Sequence, residues 1–288
     1  MTLADEGFLD LAPLRLEYRM IGPRPDAAPT IVMLHEGLGS AGLWSPFPER
    51  LASATGAGVF VYSRASYGKS GPGKLPRSVN FMHEEALDVL PRVLAAIGFE
   101  RGILFGHSDG ASIATIYAGG VQDHRVRGLV LMAPHFFAED MGLAEIRRTS
   151  EEYASGNLRD KLKRWHSDVD SAFQSWSGPW LSPDFRDWNI TDALGYIRVP
   201  ILIIQGADDQ YGTLKQIEAA QQECYCPVEV AIVSKARHSP HRDAPEATLD
   251  VAAGFINRLM RDHHEGERKA DLELSPGSVS SLFFPYSV

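Results

Sequence analysis

The sequence predicts an α/β fold in which helices cover both faces of a mostly parallel central sheet and a helical lid is inserted. Two observations support the first part of this prediction: short continuous apolar runs recur along the chain, and helical patterns lie between them. A run that is apolar at every position suits a strand buried on both faces, as in a parallel sheet. The third observation is one long segment without strand-like runs, which predicts the lid.

The predicted strands begin near the N-terminus. Residues 8–20 alternate loosely between apolar and polar side chains and predict one or two opening strands. Continuous apolar runs then predict strands at residues 30–34, 58–62, 103–105, 129–132, 201–204 and 228–233. Apolar residues at helical spacing predict helices at residues 84–97, 214–223 and 246–260. Pro91 lies inside the first of these helices and predicts a kink there.

Residues 138–196 interrupt this alternation and contain several short amphipathic helical patterns. Four of the 5 tryptophans of the chain fall in them, namely Trp165, Trp176, Trp180 and Trp188. A helical, aromatic-rich insertion between two strands predicts a lid over a site, although each tryptophan alone is also explained by packing inside the lid. We therefore expect a core of residues 1–137 and 197–262, a lid of residues 138–196 and a poorly anchored tail of residues 263–288.

Composition and charge exclude several classes of protein. The chain has 288 residues, 44% of them hydrophobic, and a formal net charge of −9. It carries no lysine and arginine cluster dense enough to bind a nucleic-acid backbone. The N-terminus lacks the basic region and apolar run of a signal peptide, and no stretch approaches the roughly 20 apolar residues of a membrane span. We expect a soluble, cytoplasmic protein without nucleic-acid or membrane partners, and the sequence leaves a homo-oligomer open.

The two cysteines do not indicate a metal site. Cys224 and Cys226 are one residue apart, so a disulfide between them would be strained. Further metal ligands are not visible near them in the sequence. We interpret both as reduced thiols at the end of a helix, and we expect no metal at this position.

The motif Gly-His-Ser-Asp-Gly at residues 106–110 lies between a strand-like run and a run of small helix-forming residues. In that context G-x-S-x-G predicts a nucleophile elbow, a tight turn that needs glycine two residues before and two residues after the serine. Ser108 would then project from the sheet at the N-terminus of a helix. Unpaired backbone N–H groups and a partial positive charge at that terminus can stabilise a negative oxygen.

A serine hydroxyl needs a base within hydrogen-bond reach, and the base needs an orienting acid. Suitable side chains follow the last two predicted strands: Asp208 and Asp209 come after residues 201–204, and His238 comes after residues 228–233. Because functional loops lie at the carboxyl ends of parallel strands, we expect an aspartate and His238 to meet the elbow serine at one edge of the sheet. Spacing alone leaves both aspartates open.

The elbow and the order serine, acid, histidine resemble the α/β-hydrolase family over roughly residues 8–262. In that family the acid usually lies three residues after the glycine that closes its strand. This pattern runs from Gly206 to Asp209 here, so the resemblance implies Asp209 and leaves Asp208 as a solvated loop carboxylate. The family's histidine is commonly followed by a small residue and proline, as His238 is.

The resemblance also implies an oxyanion hole of two backbone N–H groups, those of Gly37 and Asp109. Gly37 lies in the loop after the strand at residues 30–34, and Asp109 follows the elbow serine. Glu36 occupies the position where many family members have glycine, and we interpret it as a structural carboxylate. Arg64, after the strand at residues 58–62, is likewise expected to support the site from behind.

The implied activity is that of a serine hydrolase that cleaves a small, largely apolar ester, thioester or lactone without metal or organic cofactor. Carbon–carbon cleavage of a ring-cleavage product is one alternative, with lid arginines holding a substrate carboxylate. A non-catalytic small-molecule receptor of the same fold is another. The residues expected to line the pocket for a small-molecule substrate are Leu38, His107, Trp165, Trp176 and Trp180. The arginines considered for a substrate carboxylate are Arg147, Arg148, Arg159 and Arg164.

Overall fold

The computed structural model describes residues 3–273, and an eight-stranded sheet lies at the centre of this part of the chain. The spatial order of its strands is β1-β2-β4-β3-β5-β6-β7-β8. β2 pairs antiparallel with β1 and β4, and the other neighbours run parallel, which confirms the predicted fold class. The strands are β1 (Glu6–Leu11), β2 (Leu14–Ile21), β3 (Thr30–Leu34), β4 (Gly58–Tyr62), β5 (Gly102–His107), β6 (Val126–Met132), β7 (Ile201–Gly206) and β8 (Val228–Val233).

Helices cover both faces of the sheet, and every residue of the inner strands β3, β4, β5 and β7 is buried. Successive side chains of a strand point to opposite faces, so β3 sends Ile31 and Met33 to one apolar cluster and Val32 and Leu34 to the other. The edge strand β8 is mostly exposed although its sequence is apolar, because only β7 pairs with it. The helices are α1 (Phe47–Thr55), α2 (Phe81–Glu84), α3 (Leu90–Ala96), α4 (Asp109–Gly120), α5 (Asp140–Ser155), α6 (Leu158–Leu162), α7 (Val169–Trp180), α8 (Thr191–Leu194), α9 (Lys215–Glu223), α10 (Pro240–Asp243) and α11 (Pro245–Glu273).

The helix predicted at residues 84–97 is divided in the structure. A π-helical segment, Glu85–Val89, separates α2 from α3, and Pro91 lies in the first turn of α3. Proline is tolerated there because the N–H that it lacks would have no partner within the new helix. The helical continuity is therefore broken just before the proline, by a change of hydrogen-bond register.

The segment of residues 138–196 lies between β6 and β7 and contains α5, α6, α7 and α8. Apolar side chains of α7 are buried, and the Phe173 ring stacks on Tyr153 of α5 at a centroid distance of 3.7 Å. A second aromatic group joins Trp180, Phe185 and Trp188. These contacts pack α7 against α5 and against the residues that follow α7.

The last helix extends further than the predicted core. α11 continues to Glu273, past the expected boundary at residue 262, and the remaining residues of the predicted tail, 274–288, lie outside the described part of the chain. Within residues 3–273, no helix combines the length and apolar character that crossing a membrane requires. The loops that follow β3 to β8 form one edge of the sheet, where the predicted site residues lie.

Candidate active site

Ser108 lies in a tight turn between β5 and α4 and has a positive φ of 53°. The two glycines of the motif are required by close approaches of the backbone. A Cβ atom on Gly106 would lie 2.3 Å from the carbonyl oxygen of Gly110, and one on Gly110 would lie 2.0 Å from the carbonyl oxygen of Leu34. The positive φ of Ser108 is a strained backbone conformation, and such strain at a polar residue is typical of a functional position.

Ser108, His238 and Asp209 form a continuous hydrogen-bonded row. The Oγ atom of Ser108 is 2.8 Å from Nε2 of His238, and Nδ1 of His238 is 2.9 Å from each carboxylate oxygen of Asp209. Asp208 is exposed in the same loop. Of the two aspartates that spacing left open, the structure therefore brings Asp209 to the histidine.

The Asp209 carboxylate is held by further donors. Nε2 of Gln205 donates to one oxygen at 2.7 Å, and the backbone N–H of Tyr211 donates to the other at 2.8 Å. Burial alone would raise the pKa of Asp209, but the His238 imidazole and the hydrogen bond from the Tyr211 N–H outweigh it and lower the pKa to about 2. The acid is therefore ionised at neutral pH and orients the Nδ1–H of His238.

His135, at the carboxyl end of β6, is a neighbour that the sequence did not indicate. Its ring centroid lies 5.5 Å from that of His238 and 5.4 Å from that of Trp180. Burial, together with the nearby His238, lowers the pKa of His135 to about 3. His135 is thus a neutral ring at pH 7 and packs beside the base without competing for its proton.

The loop after β3 is fixed by Arg64, whose side chain is almost completely buried. The guanidinium donates to the carbonyl oxygens of His35 at 2.5 Å and Glu36 at 3.1 Å. The Arg64 N–H donates to Nε2 of His35 at 3.0 Å, so Nδ1 of that ring carries the proton and donates to the Glu36 carbonyl at 2.7 Å. The carbonyl of Glu36 and the N–H of Gly37 belong to one trans peptide and point in opposite directions. Because that carbonyl accepts from Arg64, the N–H of Gly37 points away from Arg64.

The N–H of Asp109 is the other predicted oxyanion donor. Asp109 is the first residue of α4, where an N–H has no acceptor within the helix. Ser108 uses its own N–H elsewhere, because it donates to the carbonyl oxygen of Met132 at 2.9 Å. Gly37, Asp109 and Ser108 line the same cavity.

Glu36 has a buried partner in His107. One carboxylate oxygen of Glu36 lies 3.4 Å from Nδ1 of His107, and Nε2 of His107 is 2.7 Å from the carbonyl oxygen of His238 and donates to it. A Cβ atom on Gly39 would lie 2.3 Å from the Glu36 carboxylate, so this glycine provides the space for it. Burial would raise the pKa of Glu36, but His107 outweighs that effect and holds the pKa well below its usual range.

A cavity of about 320 Å³ opens above Ser108, between the sheet edge and the lid. Leu38, Trp176 and Trp180 line it, as the sequence led us to expect. His107 does not, because its ring faces inward beneath His238. The further lining residues are Glu36, His135, Gly142, Glu145, Ile146, Arg148, Thr149, Glu152, Leu158, Gln210, Tyr211, Arg237, Ser239 and Arg242.

The interpretation of Trp165 as a pocket residue needs correction. Trp165 lies in the turn after α6, is 37% exposed and packs against Gly42 on the outer surface. The neighbouring His166 faces inward instead. Its Nδ1 accepts from the N–H of Gly68 at 3.0 Å and its Nε2 donates to the carbonyl of Leu38 at 3.0 Å, which ties the lid to two sheet-edge loops. A lone histidine in a lid gives no spacing signal that would have identified this role.

Metal-binding geometry is not found in the described part of the chain. Among the side chains described for residues 3–260, no three His, Cys, Asp or Glu residues are grouped so that they could hold a metal ion. Cys224 and Cys226 are both free thiols of intermediate burial after α9.

Comparison with known proteins agrees with this geometry. The family model described as alpha/beta hydrolase family matches residues 31–251. A proline iminopeptidase of Lactobacillus helveticus (strain DPC 4571) is 24% identical, with the match covering 71% of this chain and 82% of that protein. A structure from work on carboxylesterases of Nitrososphaera gargenis superposes with a TM-score of 0.74 at 17% identity, covering 89% and 100% of the two chains. The enol-lactonase of Burkholderia xenovorans LB400 gives a TM-score of 0.68 at 18% identity, covering 87% and 99%.

Proposed function

Because the chain belongs to the alpha/beta hydrolase family, we propose that this hydrolytic enzyme is a serine hydrolase of small carboxylic esters, thioesters or lactones, which acts through an acyl-enzyme on Ser108. One observation carries the proposal. The hydroxyl, the imidazole and the ionised carboxylate stand in a row, with 2.8 Å between Ser108 and His238 and 2.9 Å between His238 and Asp209. This is the arrangement that activates a serine for attack on a carbonyl carbon.

In the acylation step, Oγ of Ser108 attacks the substrate carbonyl and Nε2 of His238 takes the hydroxyl proton. Asp209 accepts the Nδ1–H of the resulting imidazolium and stabilises its charge. The N–H groups of Gly37 and Asp109 bind the oxygen that becomes negative, and loss of one such donor typically costs on the order of 10²–10³ in turnover. His238 then returns the proton to the leaving oxygen or sulfur as the acyl-enzyme forms.

Deacylation repeats the same steps with water. His238 removes a proton from a water molecule, which attacks the ester carbonyl of the acylated serine. The second tetrahedral intermediate uses the same two N–H groups. Its collapse releases the carboxylic acid and returns the proton to Oγ of Ser108, so the enzyme is regenerated without an external cofactor.

The size and walls of the cavity support a small acyl group. Its volume of about 320 Å³ lies at the lower end of the roughly 300–1,000 Å³ of ligand pockets. Apolar side chains from the lid and the β3 loop form much of the wall, namely Leu38, Ile146, Leu158, Trp176 and Trp180.

Peptide hydrolysis is the second candidate, and one feature of the cavity favours it. Glu152 of α5 is one of the residues that line the cavity, and a carboxylate in the wall suits a substrate with a free amino terminus. The relative from Lactobacillus helveticus that is 24% identical to this chain is named a proline iminopeptidase. Carbon–carbon cleavage has less support. Arg148 is the one of its four candidate arginines that lines the cavity, and its guanidinium donates to Glu145 at 2.8 Å.

A fluorophosphonate probe and a substrate panel test the proposal. We expect wild-type protein to be labelled and Ser108→Ala to be unlabelled, because the probe reacts with an activated serine. The panel compares p-nitrophenyl acetate and butyrate with proline p-nitroanilide and a ring-cleavage dienoate. Hydrolysis of the short esters that disappears in Ser108→Ala supports the esterase, whereas equal labelling of both proteins contradicts the assignment of Ser108. A wild-type protein that binds a ligand without turning over any substrate, with the same affinity in Ser108→Ala, would instead support a receptor.

A further inference from the structure

Two tryptophans of the lid helix α7 reach the two predicted oxyanion donors. Trp176 and Trp180 are four residues apart, so they project from the same face of the helix on successive turns. Both are buried in the cavity wall. Trp176 lies on the loop that contains Gly37, and Trp180 reaches the elbow residue Asp109.

The contact of Trp176 with Gly37 is as close as a backbone permits. A Cβ atom on Gly37 would lie 2.0 Å from Cδ1 and 2.2 Å from Nε1 of the indole. The indole therefore occupies the space in which any other residue would carry its side chain. It blocks movement of the loop, and of the N–H of Gly37 with it, toward α7.

The contact of Trp180 with Asp109 is a hydrogen bond. The indole Nε1–H donates to Oδ1 of Asp109 at 3.0 Å, and the carboxylate is completely buried. The same residue supplies the second predicted oxyanion N–H from its backbone. A bond from the lid to its side chain therefore restrains the residue whose amide must keep its position.

Arg64 closes this arrangement into a ring. Its guanidinium lies 3.7 Å from the second carboxylate oxygen of Asp109 and donates to the carbonyl of Glu36, which shares a peptide with the N–H of Gly37. A connected path thus runs from Trp180 through the Asp109 carboxylate and Arg64 to the peptide on which Trp176 packs. Both ends of the path belong to α7.

We propose that α7 positions the oxyanion hole, with Trp180 and the Asp109 carboxylate as positioning residues, an inference that rests on the proposed serine mechanism. The lid then does more than cover the cavity. Its seating sets the distance between the two N–H groups and the developing oxyanion, and a misplacement of about 1 Å at such a site can cost on the order of 10²-fold in rate. The substrate class remains a carbonyl compound whose oxygen must enter that hole.

The competing explanation is that these tryptophans only form the core of the lid, and Trp188 provides a matched control for it. Trp188 is buried to a similar degree and packs on Trp180 and Phe185 at 5.8 and 5.1 Å between ring centroids. Its indole N–H lacks a hydrogen-bond partner among the described residues. Trp188→Phe therefore perturbs the same aromatic group without touching either donor.

The experiment compares Trp180→Phe with Trp188→Phe, using p-nitrophenyl acetate turnover and the affinity for two ketones. Ser108 would add to a trifluoromethyl ketone to give a hemiketal oxyanion, with its proton passing to His238, whereas the matching methyl ketone binds without that charge. For Trp180→Phe we expect kcat to fall about tenfold, with KM within about twofold and the fluorinated-ketone affinity reduced in step. We expect Trp188→Phe to stay within about twofold of wild type in all of these, and methyl-ketone affinity to be unchanged in both variants.

Asp109→Asn and Asp109→Ala keep the inference testable if Trp180→Phe does not fold. Asparagine retains an oxygen that accepts from Trp180, so we expect it to lose less fluorinated-ketone affinity than alanine does. Equal losses in Trp180→Phe and Trp188→Phe, or a fall in kcat with an unchanged preference for the fluorinated ketone, would overturn the inference. A wild-type protein that turns over no ester and binds both ketones equally would instead remove the serine mechanism on which the inference rests.

Discussion

Replacing Gly37 by alanine tests whether the loop and the lid are in rigid contact. The added methyl carbon would lie 2.0 Å from Cδ1 of Trp176, whereas contacting carbons normally lie about 3.5–4.0 Å apart. One of the two groups must therefore move by roughly 1.5 Å or more. Which group moves decides whether activity or stability is lost.

If the loop retreats, the N–H of Gly37 leaves the position of the oxyanion, and we expect kcat/KM for p-nitrophenyl acetate to fall about 10²-fold. If the Trp176 indole is expelled instead, the lid loses a buried aromatic side chain, and removal of such side chains costs about 3–5 kcal/mol. Ester kinetics and urea unfolding, measured on the same preparation, separate the two outcomes.

The double variant Gly37→Ala/Trp176→Ala and the single variant Gly178→Ala serve as controls. In the double variant the methyl group no longer meets the indole, so we expect it to be more active than Gly37→Ala alone. A Cβ atom on Gly178, in the same helix, meets nothing within 4 Å, and we expect that variant to keep full activity. Unchanged activity and stability in Gly37→Ala would refute the proposed contact. If Gly37→Ala loses activity, a double variant no more active than the single one would refute it as well.

Two further predictions concern the acid and the buried imidazoles. Asp209→Asn should lower kcat by about 10⁴-fold in ester hydrolysis, because an amide cannot hold the His238 tautomer, whereas the exposed Asp208→Asn should remain near wild type; equal losses would contradict the assignment of Asp209. His135 and His241 are buried and stay neutral in the folded state, with the pKa of each lowered to about 3 by burial first of all. Since the unfolded chain binds those protons below about pH 6.5, the free energy of unfolding should fall as the pH drops from about 6.5 to about 3. Urea denaturation should show a smaller decrease in the free energy of unfolding with falling pH for the double variant His135→Gln/His241→Gln than for wild type. An equal pH dependence in the two proteins would contradict the prediction that both imidazoles are buried and neutral.

Much of the fold could be predicted because its strands are buried on both faces. Continuous apolar runs predicted β3, β4 and β7, whose residues are all buried. The same kind of run at β8 gave the correct element but not its exposure, because sheet position does not appear in a local pattern. The break before Pro91 is a change of hydrogen-bond register, which apolar spacing does not record.

The sequence predicted the site less well wherever the role of a residue depends on the direction in which its side chain points. Ser108 and His238 follow from a motif and its strand context. Trp165 and Trp176 belong to the same aromatic-rich segment, yet one lies on the outer surface and the other against Gly37, because each lies on a different helix or turn of the lid. Arg64 was expected behind the site. Its two hydrogen bonds to the loop after β3 form because the fold brings that loop next to the loop after β4, and no local spacing in the sequence predicts this.

The space at Gly39 couples two positions of the loop to each other. Because the Glu36 carboxylate fills the volume that a side chain at position 39 would need, a larger residue there would displace that negative charge from its place beside His107. Glycine in place of Glu36 would instead leave His107 with an empty niche on one side. A side chain at position 39 therefore requires a residue smaller than glutamate at position 36, so a relative that lacks this glycine should lack the glutamate as well.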